Sequence, residues 1–272
     1  MGPWSEREAE GAESLSAGWR RSVGSDAVDL RTFAFDDRPD LHGQAEEIFS
    51  AGWPEFIFHD PVADQQMDRV RQWFGELNLL LVDGEDQIVA GGWGVPVRWD
   101  GSLDDLPGGY DESLVRAVAL REAGGQADTL VIAAAQVRAG LQGRGLAAEM
   151  LGRLVSAAER ADLARVIAPV RPTLKARYPL IAMDEFTSWI RADGAPLDPW
   201  LRTHHRMGAR LLCAAERSMV LRGSVADWEK WVGFALPASG SYVVPGALAP
   251  LVIDCTTGRG ELVEPNVWLQ HR

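Results

Sequence analysis

Apolar and polar residues alternate with period two along Val28-Asp29-Leu30-Arg31-Thr32-Phe33-Ala34-Phe35, which predicts a half-buried first strand. The period then lengthens. From Pro39 to Ser50 and from Ala63 to Leu77, residues such as Leu41, Ala45, Ile48, Met67, Val70 and Phe74 recur at helical spacing, so two helices follow. Between them, Gly52 to Pro61 is too broken by Gly and Pro for a helix and is unusually aromatic, which suits a pocket wall. Leu79 to Val82, a polar turn at Asp83 to Asp86, and Gln87 to Val95 read as a hairpin of the second and third strands. Glu112 to Glu122 reads as a short amphipathic helix or an extended insertion. Thr129 to Val137 is an apolar run of buried-strand length, the fourth strand.

Directly after that run comes Arg138-Ala139-Gly140-Leu141-Gln142-Gly143-Arg144-Gly145-Leu146-Ala147, and then Leu146, Met150, Leu151, Leu154, Val155 and Ala158 mark one face of a helix. A helix start exposes unpaired N–H groups and the positive end of the macrodipole, and glycines there let a phosphate group approach the main chain. The order strand, glycine loop, helix therefore predicts an anion cradle, to which Arg144 can add charge. Neither common nucleotide template fits. A Walker loop ends in Gly-Lys-Ser or Gly-Lys-Thr, and the dinucleotide fingerprint needs another glycine spacing with an acidic residue after the next strand.

The segment resembles the acyl-CoA-binding motif of the GNAT acetyltransferases, which runs Gln or Arg, two residues, Gly, one residue, Gly or Ala. Here those positions are Gln142, Gly145 and Ala147, while Ala139 stands where a proline is often found. The order of elements agrees outward to Arg165-Val166-Ile167-Ala168-Pro169-Val170 as a fifth strand, over roughly residues 28 to 222. The resemblance implies an α/β (α+β) GNAT fold: a mixed, mostly antiparallel sheet, splayed between strands four and five and flanked by helices. It implies acetyl-CoA as acyl donor, held by Gln142, Gly143, Arg144, Gly145, Leu146 and Ala147. Main-chain groups near Gln136, Val137 and Arg138 would pair with the pantetheine arm, and a β-bulge in the fourth strand would aim carbonyls and amides at the thioester. No metal is implied.

Beyond the fifth strand the chain leaves the family pattern. Arg171 to Phe186, with a helix-like stretch over Thr187 to Arg191, reads as an insertion that sets acceptor specificity. Trp200 to Ala209 looks like the family's last helix, stopped by Gly208 before a strand at Arg210 to Ala215. Many family members carry a Tyr four residues before that Gly, protonating the departing thiolate; the aligned residue here is His204, whose unperturbed pKa suits a general acid. Asp184 and Glu185, near Tyr178 and Trp189, are a candidate cation site and, together with Asp60 and His59, candidate bases. The tail holds an amphipathic stretch with Trp228 and Trp231 and a hairpin of Leu251 to Cys255 with Leu262 to Leu269. This gives a leader over 1–26, an acyltransferase domain over 27–222 with its insertion near 171–198, and an extension over 223–272 that closes the acceptor pocket or pairs two copies as a homodimer.

Composition narrows the partners. With 27 Lys and Arg against 39 Asp and Glu, the formal charge is -12, a surface that repels nucleic acid and is compatible with a cationic amine. Two cysteines, Cys213 and Cys255, and no long apolar run point to a cytoplasmic protein without a disulfide framework or membrane span. The expected activity is N-acylation of a small amine or amino-acid-like metabolite by direct attack in a ternary complex. The alternatives are an antibiotic-modifying acetyltransferase and a non-catalytic acyl-CoA-binding module.

Overall fold

A computed structural model describes residues 29–272. The leader expected over 1–26 and Val28 of the first predicted strand lie outside the described residues.

The described strands form a nine-stranded sheet. β1 (Arg31–Ala34), β2 (Asn78–Val82), β3 (Ile88–Val97) and β4 (Thr129–Val137) pair antiparallel in chain order. β5 (Arg165–Val170) runs parallel to β4. The remaining strands are β6 (Arg210–Ser224), β7 (Gly240–Tyr242), β8 (Leu251–Asp254) and β9 (Arg259–Gln270). β9 pairs with β6 along one edge and with β5 and then β8 along the other, so it lies inside the sheet. The 223–272 segment thus supplies the strand between β5 and β6. Its burial explains the placement: Leu262, Val267, Trp268 and Leu269 are all at most 1% exposed, as expected for a strand covered on both faces.

Helices cover the two faces. Against one face, α4 (Leu146–Arg160) buries Met150, Leu151 and Leu154 on Leu130 and Ile132 of β4. That cluster also takes in α5 (Met183–Thr187) and α6 (Pro199–Arg206) through Met183, Phe186 and Leu201. Against the other, α2 (Pro61–Trp73) and α3 (Tyr110–Glu122) bury Val70, Leu114 and Val118 with Val95, Val97 and Val131. α1 (His42–Ser50) packs on β2 and β3 through Ala45 and Ile48, and α7 (Val225–Val232) seats Trp228 beside Phe56, Leu221 and Ile253.

Two local expectations shift. The Gly52 to Pro61 stretch contains a single 3-10 turn, Glu55–His59. The helix expected over Thr187 to Arg191 ends where it was expected to begin, because burial of Met183 and Phe186 sets α5 one turn earlier and Ile190 instead bridges Pro196.

Candidate active site

The β4–β5 pairing lasts only from Thr129 opposite Arg165 to Val131 opposite Ile167. Beyond Val131 the two strands separate, because β4 continues along β3 while β5 turns to β9. At that point β4 also bulges. Trp93 faces Ala134 and Gly94 faces Ile132, which leaves Ala133 with no partner on β3. The extra residue resets the alternation: Leu130 and Ile132 face α4 before it, and Ala135 and Val137 face the same core after it. A wedge therefore opens toward the C-terminal end of β4, bordered by main-chain groups of Ile132 to Val137 that β5 does not pair.

The wedge leads to the glycine loop. Gly143 and Gly145 have φ of +79° and +81°, the left-handed region that favours glycine, and nothing lies within 4 Å of where a Cβ would stand on either. Gln142 folds back, its Oε1 accepting from Gly140 N–H at 2.8 Å. Gly145 caps α4 without any side-chain bond, so the first N–H groups of the helix, from Leu146 and Ala147 onward, face outward. Arg144 is exposed at the same end. Such a loop fits a pyrophosphate: it combines room for close approach, aligned donors and one mobile cation.

No family model matches the chain. Its sequence is 29% identical over 265 residues to the arginine N-acetyltransferase avaD of Aspergillus versicolor, a match spanning 86% of this chain and 91% of that protein. Among solved structures, the loading GNATL domain of CurA from Lyngbya majuscula gives a TM-score of 0.54 at 16% identity, covering 90% of this chain and 96% of that one. The chain has the fold of the GNAT acyltransferases. The GNAT-like decarboxylase GphF in complex with isobutyryl-CoA has the same fold, with a TM-score of 0.51 and 13% identity over 89% of this chain and 97% of that one.

On this GNAT scaffold the predicted donor-site residues divide by role. Gln136 and Val137 pair with Gly91 and Ala90 of β3. The Gln136 side chain is fully engaged: Oε1 accepts from Trp53 Nε1 at 2.7 Å, and Nε2 donates to the carbonyls of Ile48 at 2.9 Å and Ala51 at 3.0 Å. It fastens the loop after α1 across the wedge. The Arg138 N–H donates to Val89 O at 3.0 Å, which commits that amide to β3.

The opposite bank is built from residues that the sequence reading did not single out. Arg171, just past β5, forms a two-pronged ion pair with Glu264 of β9, both contacts at 2.8 Å, and its guanidinium lies 5.7 Å from the Trp53 ring centre. Glu264 is fully buried and also accepts from Leu248 N–H at 2.9 Å. The period-two spacing of Gly260, Leu262 and Glu264, which puts Glu264 on the buried face of β9, was the available signal.

His204 is buried at 1% exposure, with its Nδ1 2.7 Å from Nε2 of His271 and its ring 4.4 Å from that of Trp200. Its Nε2 has no partner. Burial, reinforced by His271, holds its pKa well below the ordinary value, and burial lowers His271 to about 4. Both rings are uncharged at neutral pH. Asp184 and Glu185 stand exposed in the first turn of α5, which packs on β6 and β9, with β5 between them and β4 in the sheet order. Asp60 is buried as the N-cap of α2, its Oδ1 accepting from Val62 and Ala63, while His59 is bonded to Glu55 and stacked on Trp231.

Asp60 has a second neighbour. Asp111 in the first turn of α3 accepts from Val220 N–H at 2.9 Å, and burial together with a hydrogen bond to Asp60 pushes its pKa up to about 8. The contact joins α2, α3 and β6. Among the described residues no group of His, Cys, Asp and Glu is arranged to hold a metal ion, and no helix is long and apolar enough to cross a membrane.

Proposed function

We propose that this chain transfers an acyl group, acetyl in the first instance, from acyl-CoA to the nitrogen of arginine or a similar cationic amino acid. The observation that carries the donor half is the open glycine loop leading from the bulged half of β4, which β5 does not pair, into the start of α4, which has no side-chain cap. The acceptor half is supported by the relative named an arginine N-acetyltransferase, matched over 91% of its length, and by the formal charge of -12.

The bound thioester supplies the activated acyl group. Gly143, Gly145, Leu146 and Ala147 hold its pyrophosphate through main-chain N–H groups, with Arg144 as a charged contact. Main-chain donors beside the Ala133 bulge polarise the acyl carbonyl; such preorganised donors act on the charge that develops as the amine attacks. Asp184 and Glu185 draw the cationic acceptor toward the α5 side and, directly or through water, take its proton. His204 acts as an uncharged hydrogen-bond donor, since with His271 Nε2–H donating to its Nδ1 the free Nε2 carries the proton.

Release of free thiol from acetyl-CoA, measured with arginine, lysine, simple amines and aminoglycosides, tests this reading. Turnover with arginine and mass-spectrometric detection of N-acetylarginine are expected. Turnover confined to aminoglycosides would move the acceptor to an antibiotic. Acetyl-CoA binding with no turnover on any amine would leave a binding module.

A further inference from the structure

Between α5, β6 and β9 lies an open cleft of about 280 Å³, at the small end of ligand-site volumes, which run from ~300 Å³ upward. Its walls are apolar, contributed by residues such as Ile181, Met183, Leu248 and Val263, apart from two side chains of opposite charge, Lys175 and Glu216. Lys175 is only 1% exposed. Its Nζ donates to the carbonyls of Tyr178 at 2.9 Å and Leu248 at 2.6 Å. An ammonium has three N–H groups, so one is left over.

No carboxylate makes an ion pair with Lys175 among the described residues. The charges of Glu264 and Glu216 both reach it, but Glu264 is already held by Arg171 and Glu216 is exposed to solvent. A buried ammonium with only carbonyl partners is under-compensated, and an anion entering the cleft would supply the missing charge. Glu216 is exposed on the irregular stretch of β6 between Ala215 and Met219 and would repel a simple anion, but it suits a ligand that is negative at one end and positive at the other.

We propose that this cleft recognises a small α-amino acid, with Lys175 receiving its carboxylate and Glu216 facing its cationic part. The choice of amino acid rests on the acceptor reading above; the carboxylate-binding role of Lys175 rests on the cleft itself. The site would make the protein select an amino acid over the amine left when the carboxylate is removed.

Calorimetry on the full chain with L-arginine and with agmatine, which is arginine without its carboxylate, tests this. Arginine should bind about tenfold more tightly than agmatine, the size of one charge-assisted hydrogen bond. Lys175→Met should erase that difference by weakening arginine alone. Glu216→Gln, at an exposed position, should weaken both ligands and still fold, so it decides the matter where Lys175→Met does not fold. Equal affinities in the unaltered protein, equal weakening of both ligands by Lys175→Met, or no effect of Glu216→Gln on either would overturn the proposal. The two readings fail separately: absence of any N-acetylated product with a persisting preference for arginine removes the transfer reading and leaves the cleft, whereas arginine turnover indifferent to Lys175 does the reverse.

Discussion

Trp53 donates its indole N–H to Gln136 Oε1 at 2.7 Å, which fixes the loop after α1 to the half of β4 that β5 does not pair. Trp53→Phe keeps an aromatic ring in the loop and removes the donor. Stability should fall by about 1 kcal/mol, the usual net worth of such a bond. The KM for the acceptor should rise several-fold while acetyl-CoA affinity stays unchanged, since the glycine loop is untouched. Steady-state kinetics with each substrate varied, alongside urea unfolding, would check the split, and equal losses in both affinities would contradict it.

Gly145 is held at φ +81° with open space where a Cβ would project. Gly145→Ala therefore strains the backbone without a clash, at about 1–2 kcal/mol. The substitution also places a methyl group where the pyrophosphate should approach. Acetyl-CoA binding measured by calorimetry should weaken at least about tenfold, with the acceptor affinity preserved.

The His204–His271 pair makes stability depend on pH. Both folded pKa values lie below the unfolded one, so the unfolded chain binds more protons as pH drops, and the stabilisation present above about pH 6.5 is lost toward pH 4. The thermal midpoint should fall across that window by at least about 4 °C. His271→Gln should flatten the fall, and a midpoint independent of pH between 7 and 4.5 would refute the burial argument.

Asp111 works in the opposite direction. Its folded pKa is raised to about 8, so the folded state holds a proton that the unfolded state releases from about pH 4 upward, and stability declines as pH rises to 8. Asp111→Asn can still accept from Val220 and offers Asp60 an N–H that needs no proton. The variant should unfold at a higher temperature than the unaltered protein at pH 8 and lose that advantage near pH 4. Thermal melts at the two pH values would show it.

Much of this was legible from residue order. The strand, glycine loop and helix around Gln142 to Ala147 form a local pattern, and local patterns survive folding. The two shortfalls are non-local. Nothing in Arg259 to Gln270 announces that it will lie between β5 and β6, since pairing over such distances in the chain is set by the whole sheet. His204 took its expected role from alignment and an exposed imidazole's pKa, whereas Trp200, His271 and the surrounding core exclude water from it. Lys175 and Glu264 were missed for a related reason: a charged residue's burial is decided by what folds over it.

The inner position of β9 also governs how the molecule is made. A nascent chain emerges with β5 and β6 long before β9, the last of the described elements, and until then each has an open edge where β9 will sit. Those edges are templates for aggregation while they wait. Without Arg259 to Gln270, β6 would have no pairing among the described strands, and β7 and β8 would be cut off from β1 to β5.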